Sequence, residues 1–201
     1  MLITFEGIDG CGKSTQIELL NSWLGDRNVS CRIFREPGGV ALSENIRSLL
    51  LATREEMDPV TELLLFSAAR SQLIAEKVLP LLDQNVMVIL DRFFDSTTAY
   101  QGYGRESASI RQIEMLNQLA GHHLVPDITF YLKISYKEAR KRTEGNEPDR
   151  MERSGENFFE KVIRGFDQLA REQSRIHTLD ATQHPDDIHR KIIDLLKNRL
   201  S

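Results

Sequence analysis

Gly7-Ile8-Asp9-Gly10-Cys11-Gly12-Lys13-Ser14 constrains this chain more than any other stretch, because it satisfies the pattern G-x-x-x-x-G-K-[ST] at every position. Its surroundings agree. Leu2-Ile3-Thr4-Phe5-Glu6 reads as a short apolar strand, and Ser14 to Leu24 as an amphipathic helix with Ile17, Leu20 and Leu24 on one face. A glycine turn between a strand and a helix aims backbone N–H groups at a chain of phosphates, and the helix N-terminus adds partial positive charge. There Lys13 reaches the outer phosphates and the Ser14 hydroxyl ligates Mg²⁺. The stretch therefore predicts binding of a nucleoside triphosphate.

The rest of the chain alternates between the two periodicities. Further strands are expected over Ser30 to Phe34, Val86 to Leu90, Ile128 to Leu132 and Ile176 to Leu179. Helices are expected over Leu42 to Leu51, Pro59 to about Leu82 with a bend near Pro80, Ser96 to Tyr103 and Ile110 to Gly121. Three more are expected: one from Tyr136, one over Glu156 to Arg175 and one over Pro185 to Leu200. Val86-Met87-Val88-Ile89-Leu90 is apolar throughout, as a strand covered on both faces must be. The alternation predicts an α/β fold: a five-stranded parallel sheet with helices on both faces, in one domain of 201 residues.

Thr143 to Ser154 departs from the pattern, being polar and broken by Gly145 and Pro148. It is either a solvated connection or a mobile lid that keeps water from a transferring phosphoryl group. Arg140, Arg142, Arg150 and Arg153 flank or lie in it and offer positive charge.

Bulk properties exclude several classes. A formal net charge of −4 argues against extended, non-specific nucleic-acid binding. No apolar run approaches the roughly 18 residues of a membrane span, and no charged-then-apolar leader opens the sequence. Cys11 and Cys31 make no metal pattern and read as reduced thiols of a cytoplasmic protein, and the five histidines show no zinc spacing. Cys11, among loop amides at a helix N-terminus, is expected to have a lowered pKa and to react if exposed; the alternative is a small, tolerated loop residue.

A phosphate loop alone does not separate a switch, a motor and a small-molecule kinase. The chain has no N-K-x-D guanine-reading motif. Its buried strand ends in Asp91-Arg92, where a motor carries adjacent acids. Asp91 can serve the metal through water, and Arg92 can hold a second, separate phosphate. That combination suits phosphoryl transfer between two nucleotides.

Here the residues carry a resemblance. Asp91-Arg92-Phe93-Phe94-Asp95-Ser96-Thr97-Thr98-Ala99-Tyr100-Gln101 resembles the D-R-[FY]-x-x-S-x-x-A-Y-Q segment of thymidylate kinases. The phosphate loop continued through Thr15, Arg35-Glu36-Pro37-Gly38-Gly39 and Leu64-Leu65-Phe66-Ser67-Ala68-Ala69-Arg70 are also similar to segments of that family. Asp149-Arg150-Met151-Glu152 resembles its bacterial lid, and Asp180-Ala181-Thr182-Gln183 its adenine loop. The match runs along essentially the whole chain. It implies ATP and Mg²⁺ as cofactors, dTMP as acceptor, dTDP as product, and a homodimer with no membrane or stable nucleic-acid partner.

The resemblance also implies roles. The donor would lie on Gly7 through Thr15, with its adenine near Thr182 and Gln183. Ser14 and Asp91 would serve the metal. Lys13, Asp9, Arg92 and Arg150 would carry the chemistry, Arg92 on the acceptor phosphate and Arg150 on the moving group. Arg35, Phe66, Arg70, Ser96, Thr97, Tyr100 and Gln101 would join Asp9 and Arg92 in holding dTMP. Beside this, Phe66 and Arg70 share a helix face, so the ring can stack on a pyrimidine and the guanidinium can reach a base carbonyl. Phe66 reads equally as core, Arg70 as a solvated charge and Tyr100 as a buried phenol. Tyr100 otherwise packs where a 2′-hydroxyl would sit. The apolar helix Leu63 to Leu82 offers a dimer face or simply core. Two positions depart from the family: Gly10, where some members have Arg, and Lys133, where Asp is usual. The alternatives are another pyrimidine nucleotide kinase of this fold, or a nucleotide-binding regulator that has lost transfer.

Overall fold

A computed structural model describes residues 1–52, 56–145, 147 and 149–200, with side chains described up to residue 197. The apolar runs become β1 (Leu2–Glu6), β2 (Cys31–Arg35), β3 (Met87–Asp91), β4 (Ile128–Lys133) and β5 (Ile176–Asp180). Among the described residues these are five parallel strands in the order β2-β3-β1-β4-β5. Successive side chains point to opposite faces, and the core divides accordingly. Leu2, Val88 and Leu90 pack on one side with Leu73, Ile74, Val78 and Phe93. Ile3, Phe5 and Ile89 pack on the other with Ile17, Leu20, Phe166 and Ile192. Val88, Ile89 and Leu90 are fully buried; each such side chain contributes at most about 1.5–3 kcal/mol. The edge strand β2 carries Arg32 and Arg35 on exposed positions, which discourages pairing with another chain.

The helices follow the expected places with shifted ends. α1 (Lys13–Gly25) starts one residue early and buries Ile17, Leu20 and Leu24. α2 (Ala41–Ala52) precedes α3 (Pro59–Leu73), whose Asp58 cap accepts from the Val60 and Thr61 amides at 2.9 and 3.0 Å. The long helix does not run on regularly toward Pro80. It widens into a π turn over Ile74–Val78 before α4 (Leu79–Asp83), which accommodates a proline that has no N–H and crowds the preceding turn. Its inward residues Leu63, Leu73, Ile74 and Val78 are core, whereas Leu64 faces out, 53% exposed. The helix expected over Ser96 to Tyr103 is α5 (Phe94–Thr97) followed by a second π turn, Thr98–Gly104.

α6 (Ile110–Ala120) is opened by a capping box between Ser109 and Gln112. α7 (Tyr136–Arg142), α8 (Glu156–Glu172) and α9 (Pro185–Leu200) complete the chain. Within the expected lid, Glu152–Ser154 forms one 3₁₀ turn, and Asn146 and Pro148 lie outside the described residues. Among the described residues no helix is long and apolar enough to cross a membrane. In such a sheet, ligands bind beyond the carboxyl ends of the strands, where the strand order reverses. That point is the end of β1, with Asp91 in register with Phe5 on one side and Arg35 on the other.

Candidate active site

The loop leaving β1 is shaped by glycines in backbone regions that side chains rarely allow. Gly12 has φ +94° and caps α1 in the left-handed region. Gly10 has φ +81°, and a Cβ there would lie 2.6 Å from the Ala139 carbonyl oxygen. An arginine at this position would have to displace α7. Lys13 lies over the loop, with Nζ donating to the carbonyls of Gly7 at 3.1 Å and Ile8 at 3.2 Å and standing 3.8 Å from Asp9.

Arg92 joins this loop to the end of β3. Its backbone takes φ +71°, and its amide donates to Phe5 O at 2.9 Å. Its guanidinium donates to Gly7 O at 2.8 Å, Asp9 Oδ1 at 2.7 Å and Ser96 Oγ at 3.2 Å. Burial pushes the Asp9 carboxyl up, but Arg92 and Lys13 together outweigh it and hold Asp9 at about 2. Behind Arg92 lies Glu6, whose carboxyl group accepts from the Phe93 amide at 2.8 Å and from the Ser96 hydroxyl at 2.5 Å. Burial and the Asp95 charge push Glu6 up to about 8.

Two cavities meet at this junction. One, of about 560 Å³, is lined by the loop from Asp9 to Gln16, by Arg35, Asp91 and Arg92, and by Arg142, Ala181 and Gln183. The other, of about 100 Å³, is lined by Phe66, Arg70, Ser96, Thr97, Tyr100 and Gln101, with Asp149 and Met151 from the expected lid. Asp9, Glu36, Arg47 and Arg92 belong to both.

Arg70, read from sequence as either solvated or base-binding, is 2% exposed. It donates to Glu36 at 2.7 Å, Thr97 Oγ1 at 2.8 Å and Asn117 at 3.2 Å. Burial raises the Glu36 carboxyl while Arg70 opposes the rise. The Tyr100 ring packs edge-on to Phe158, Phe159 and Phe166, its hydroxyl has no partner among the described residues, and burial pushes its pKa up. Phe66 packs against the core, as one of its two readings has it, and also lines the small cavity.

Not every expected residue comes here. Arg35 faces the large cavity and pairs with Glu44 at 3.0 Å, away from the small one. Thr182 turns to Asp180, donating to its carboxylate from the amide at 2.9 Å and from the hydroxyl at 2.6 Å, and it is Ala181 and Gln183 that reach the loop cavity. Arg150 pairs with Glu62 at 2.6 Å and lines neither cavity. Cys11 corrects the expectation of a reactive thiol: it is 1% exposed, and burial raises its pKa despite Lys13 and Arg92. Lys133 finds its partner in Asp167 at 2.8 Å.

Arg47, Glu36 and Asn117 were not legible as site residues. Arg47 stands on α2 one turn after Glu44, where it reads as an ordinary helix charge, and its Nη1 donates to Pro37 O at 2.9 Å. Glu36 lay inside a quoted motif, while Asn117 gave no signal at all. For the implied metal the donors fit: Asp91 Oδ1 is buried with no partner among the described residues, and Ser14 shares its cavity. A hydroxyl, a carboxylate, phosphate oxygens and water make a Mg²⁺ site without a protein cage.

A phosphate loop facing a second, arginine-lined cavity across Asp9 and Arg92 defines a P-loop phosphotransferase of the small-molecule kinase class. The chain belongs to the thymidylate kinase family, whose model, described as "Thymidylate kinase", matches residues 5–192. It is 47% identical over 210 residues to the thymidylate kinase of Chlorobium phaeobacteroides, covering 99% of this chain and 95% of that protein. To the thymidylate kinase of Thermoanaerobacter sp. it is 41% identical over 199 residues, covering 98% of each. The crystal structure of thymidylate kinase from Ehrlichia chaffeensis superposes with a TM-score of 0.81 at 35% identity, covering 98% of each chain.

Proposed function

We propose that this chain catalyses ATP + dTMP → ADP + dTDP in the formation of dTTP, as a single cytoplasmic domain with a lid over about residues 143–154. The observation that carries the reading is the pair of cavities sharing Asp9 and Arg92. A donor phosphate chain on the loop and an acceptor phosphate at Arg92 are thereby held end to end for in-line transfer. Positioning and charge neutralisation are then the main demands on the protein. The loop amides and Lys13 hold the donor, with Gln183 beyond them. Ser14 and Asp91 hold Mg²⁺, which neutralises phosphate charge when bound. Arg92 and Arg47 hold the acceptor phosphate. Asp9 keeps Arg92 and Lys13 aligned and lies within reach of the acceptor sugar.

Phe66 stacks on the base, Arg70, Thr97 and Gln101 face its edge, and Tyr100 crowds a 2′-hydroxyl. Developing charge is met by Arg142, already on the cavity wall, and by Arg150, which must exchange Glu62 for phosphoryl oxygens. The family expectation of a homodimer is supported by exposed apolar residues on α2, α3 and α6: Leu49, Leu64, Met115 and Leu119.

An ADP-release assay against a panel of monophosphates tests the reading. dTMP should be used well, dUMP less well and UMP poorly. One methyl is worth only about 1–3 kcal/mol, so dUMP should remain a measurable substrate. Preference for a purine monophosphate would overturn the assignment.

A further inference from the structure

Glu62 lies in the first turn of α3, is 1% exposed, and receives three side chains on one carboxylate. Oε1 accepts from Gln101 Nε2 at 2.9 Å and from Arg105 Nε at 3.4 Å, and Oε2 stands 2.6 Å from Arg150 Nη2. Arg150 Nε also donates to Leu50 O at 2.7 Å, and Arg105 Nη2 to Ser154 Oγ at 2.8 Å. Arg150 and Ser154 are thus fastened to α2, α3 and Arg105, which follows the second π turn. Their neighbours Asp149 and Met151 form the wall of the acceptor cavity together with Gln101.

The chemistry of the carboxylate has a consequence for that wall. An ionised carboxylate only accepts hydrogen bonds, so the Gln101 amide turns Nε2 toward Glu62 and Oε1 away from it. A free side-chain amide offers a donor or an acceptor by flipping, whereas this one is held to offer an acceptor.

We propose that Glu62 is the positioning residue that sets base preference: by fixing the Gln101 amide it makes the cavity accept a ring N–H, and with its other oxygen it ties Arg150 beside the same cavity. The base edge selected is that of a 4-oxopyrimidine. A 4-aminopyrimidine presents a ring nitrogen that is itself an acceptor, and it would meet Gln101 Oε1 unpaired. This inference rests on the dTMP reading above.

The test is kcat/KM of the wild type, Glu62→Gln and Glu62→Asp for dTMP, dUMP and dCMP. The amide introduced by Glu62→Gln can donate as well as accept, so Gln101 is released to either orientation. The preference for dTMP over dCMP should then fall at least about tenfold. The preference for dTMP over dUMP should stay within about twofold, because both bases carry the same ring N–H. Glu62→Asp, which keeps an acceptor-only group, should retain more of the dCMP discrimination than Glu62→Gln. An unchanged dTMP/dCMP ratio overturns the proposal, and so does an equal fall in both ratios, which is the mark of general loosening. If Glu62→Gln does not fold, Gln101→Met carries the test: lost discrimination against dCMP supports the proposal and preserved discrimination overturns it. A wild type that does not use dTMP fails the functional reading and takes this inference with it. A wild type that uses dTMP with ratios unmoved in the variants fails this inference alone.

Discussion

At the scale of single residues, Lys13 and Cys11 show how context decides chemistry. Lys13 is buried against the loop carbonyls, so its ammonium is preorganised on the donor side of the cavity. Lys13→Ala should lower turnover by on the order of a hundredfold or more, as expected for loss of one aimed charged donor. Steady-state kinetics beside circular dichroism checks this, and near-normal turnover in a folded variant would remove the loop from catalysis. Cys11, two residues earlier, sits at the helix N-terminus where sequence logic lowers a thiol pKa. Burial reverses that logic, because the thiolate loses more to desolvation than it gains from Lys13 and Arg92. Cys31 is also raised by burial but is partly exposed. A mild alkylating agent should therefore label Cys31 before Cys11 in the native protein, as peptide mapping would report. Faster labelling of Cys11 would mean that the loop opens.

At the scale of elements, the two π turns and the lid are where local pattern and structure part. Periodicity identified the helices Pro59 to Leu82 and Ser96 to Tyr103 but not their widened turns, since a π turn changes the winding without changing which residues are apolar. Asp149-Arg150-Met151-Glu152 resembles a lid motif, yet Arg150 is bound to Glu62, on a helix far away in sequence. An arginine that touches the phosphoryl group in the transition state affects turnover more than binding. Arg150→Ala should accordingly lower kcat at least about tenfold with little change in KM for dTMP. If kcat is unchanged, the role passes to Arg142, which lines the loop cavity through its hold on Ala181 O at 2.9 Å.

At the scale of the whole molecule, the sheet places a carboxyl in its interior directly behind the active-site arginine. Glu6 is wholly buried, and burial with the Asp95 charge pushes it up to about 8 from 4.5, against the Ser96 bond, Arg92 and the Phe93 amide. The native state therefore keeps a proton that the unfolded chain releases above about pH 4.5. Stability from this site is fully present below that value, falls as pH rises toward about 8, and is level beyond it. The total is on the order of a few kcal/mol, at about 1.4 kcal/mol per pKa unit. Glu6→Gln removes the titration, so the wild-type unfolding midpoint should fall relative to the variant between about pH 5 and 8. Parallel pH profiles for the two proteins would show that Glu6 ionises normally in the fold.

The sequence by itself determined the strand-loop-helix unit, the alternation that makes a parallel sheet, and the acidic and basic pair ending β3. Each of these is a local matter: glycines that permit φ near +90°, side-chain periods of two and 3.6, and a run apolar on both faces. The tertiary structure decided which charges meet. Arg70 with Glu36, Arg150 with Glu62 and Arg92 with Asp9 are pairs drawn from different elements. No spacing along the chain encodes them, because they are set by strand order and helix packing. Burial likewise belongs to the assembled molecule. It raised the Cys11 thiol and the Glu6 carboxyl and set Arg70 into the wall of the small cavity, since desolvation depends on every element that closes over a group rather than on the residues beside it.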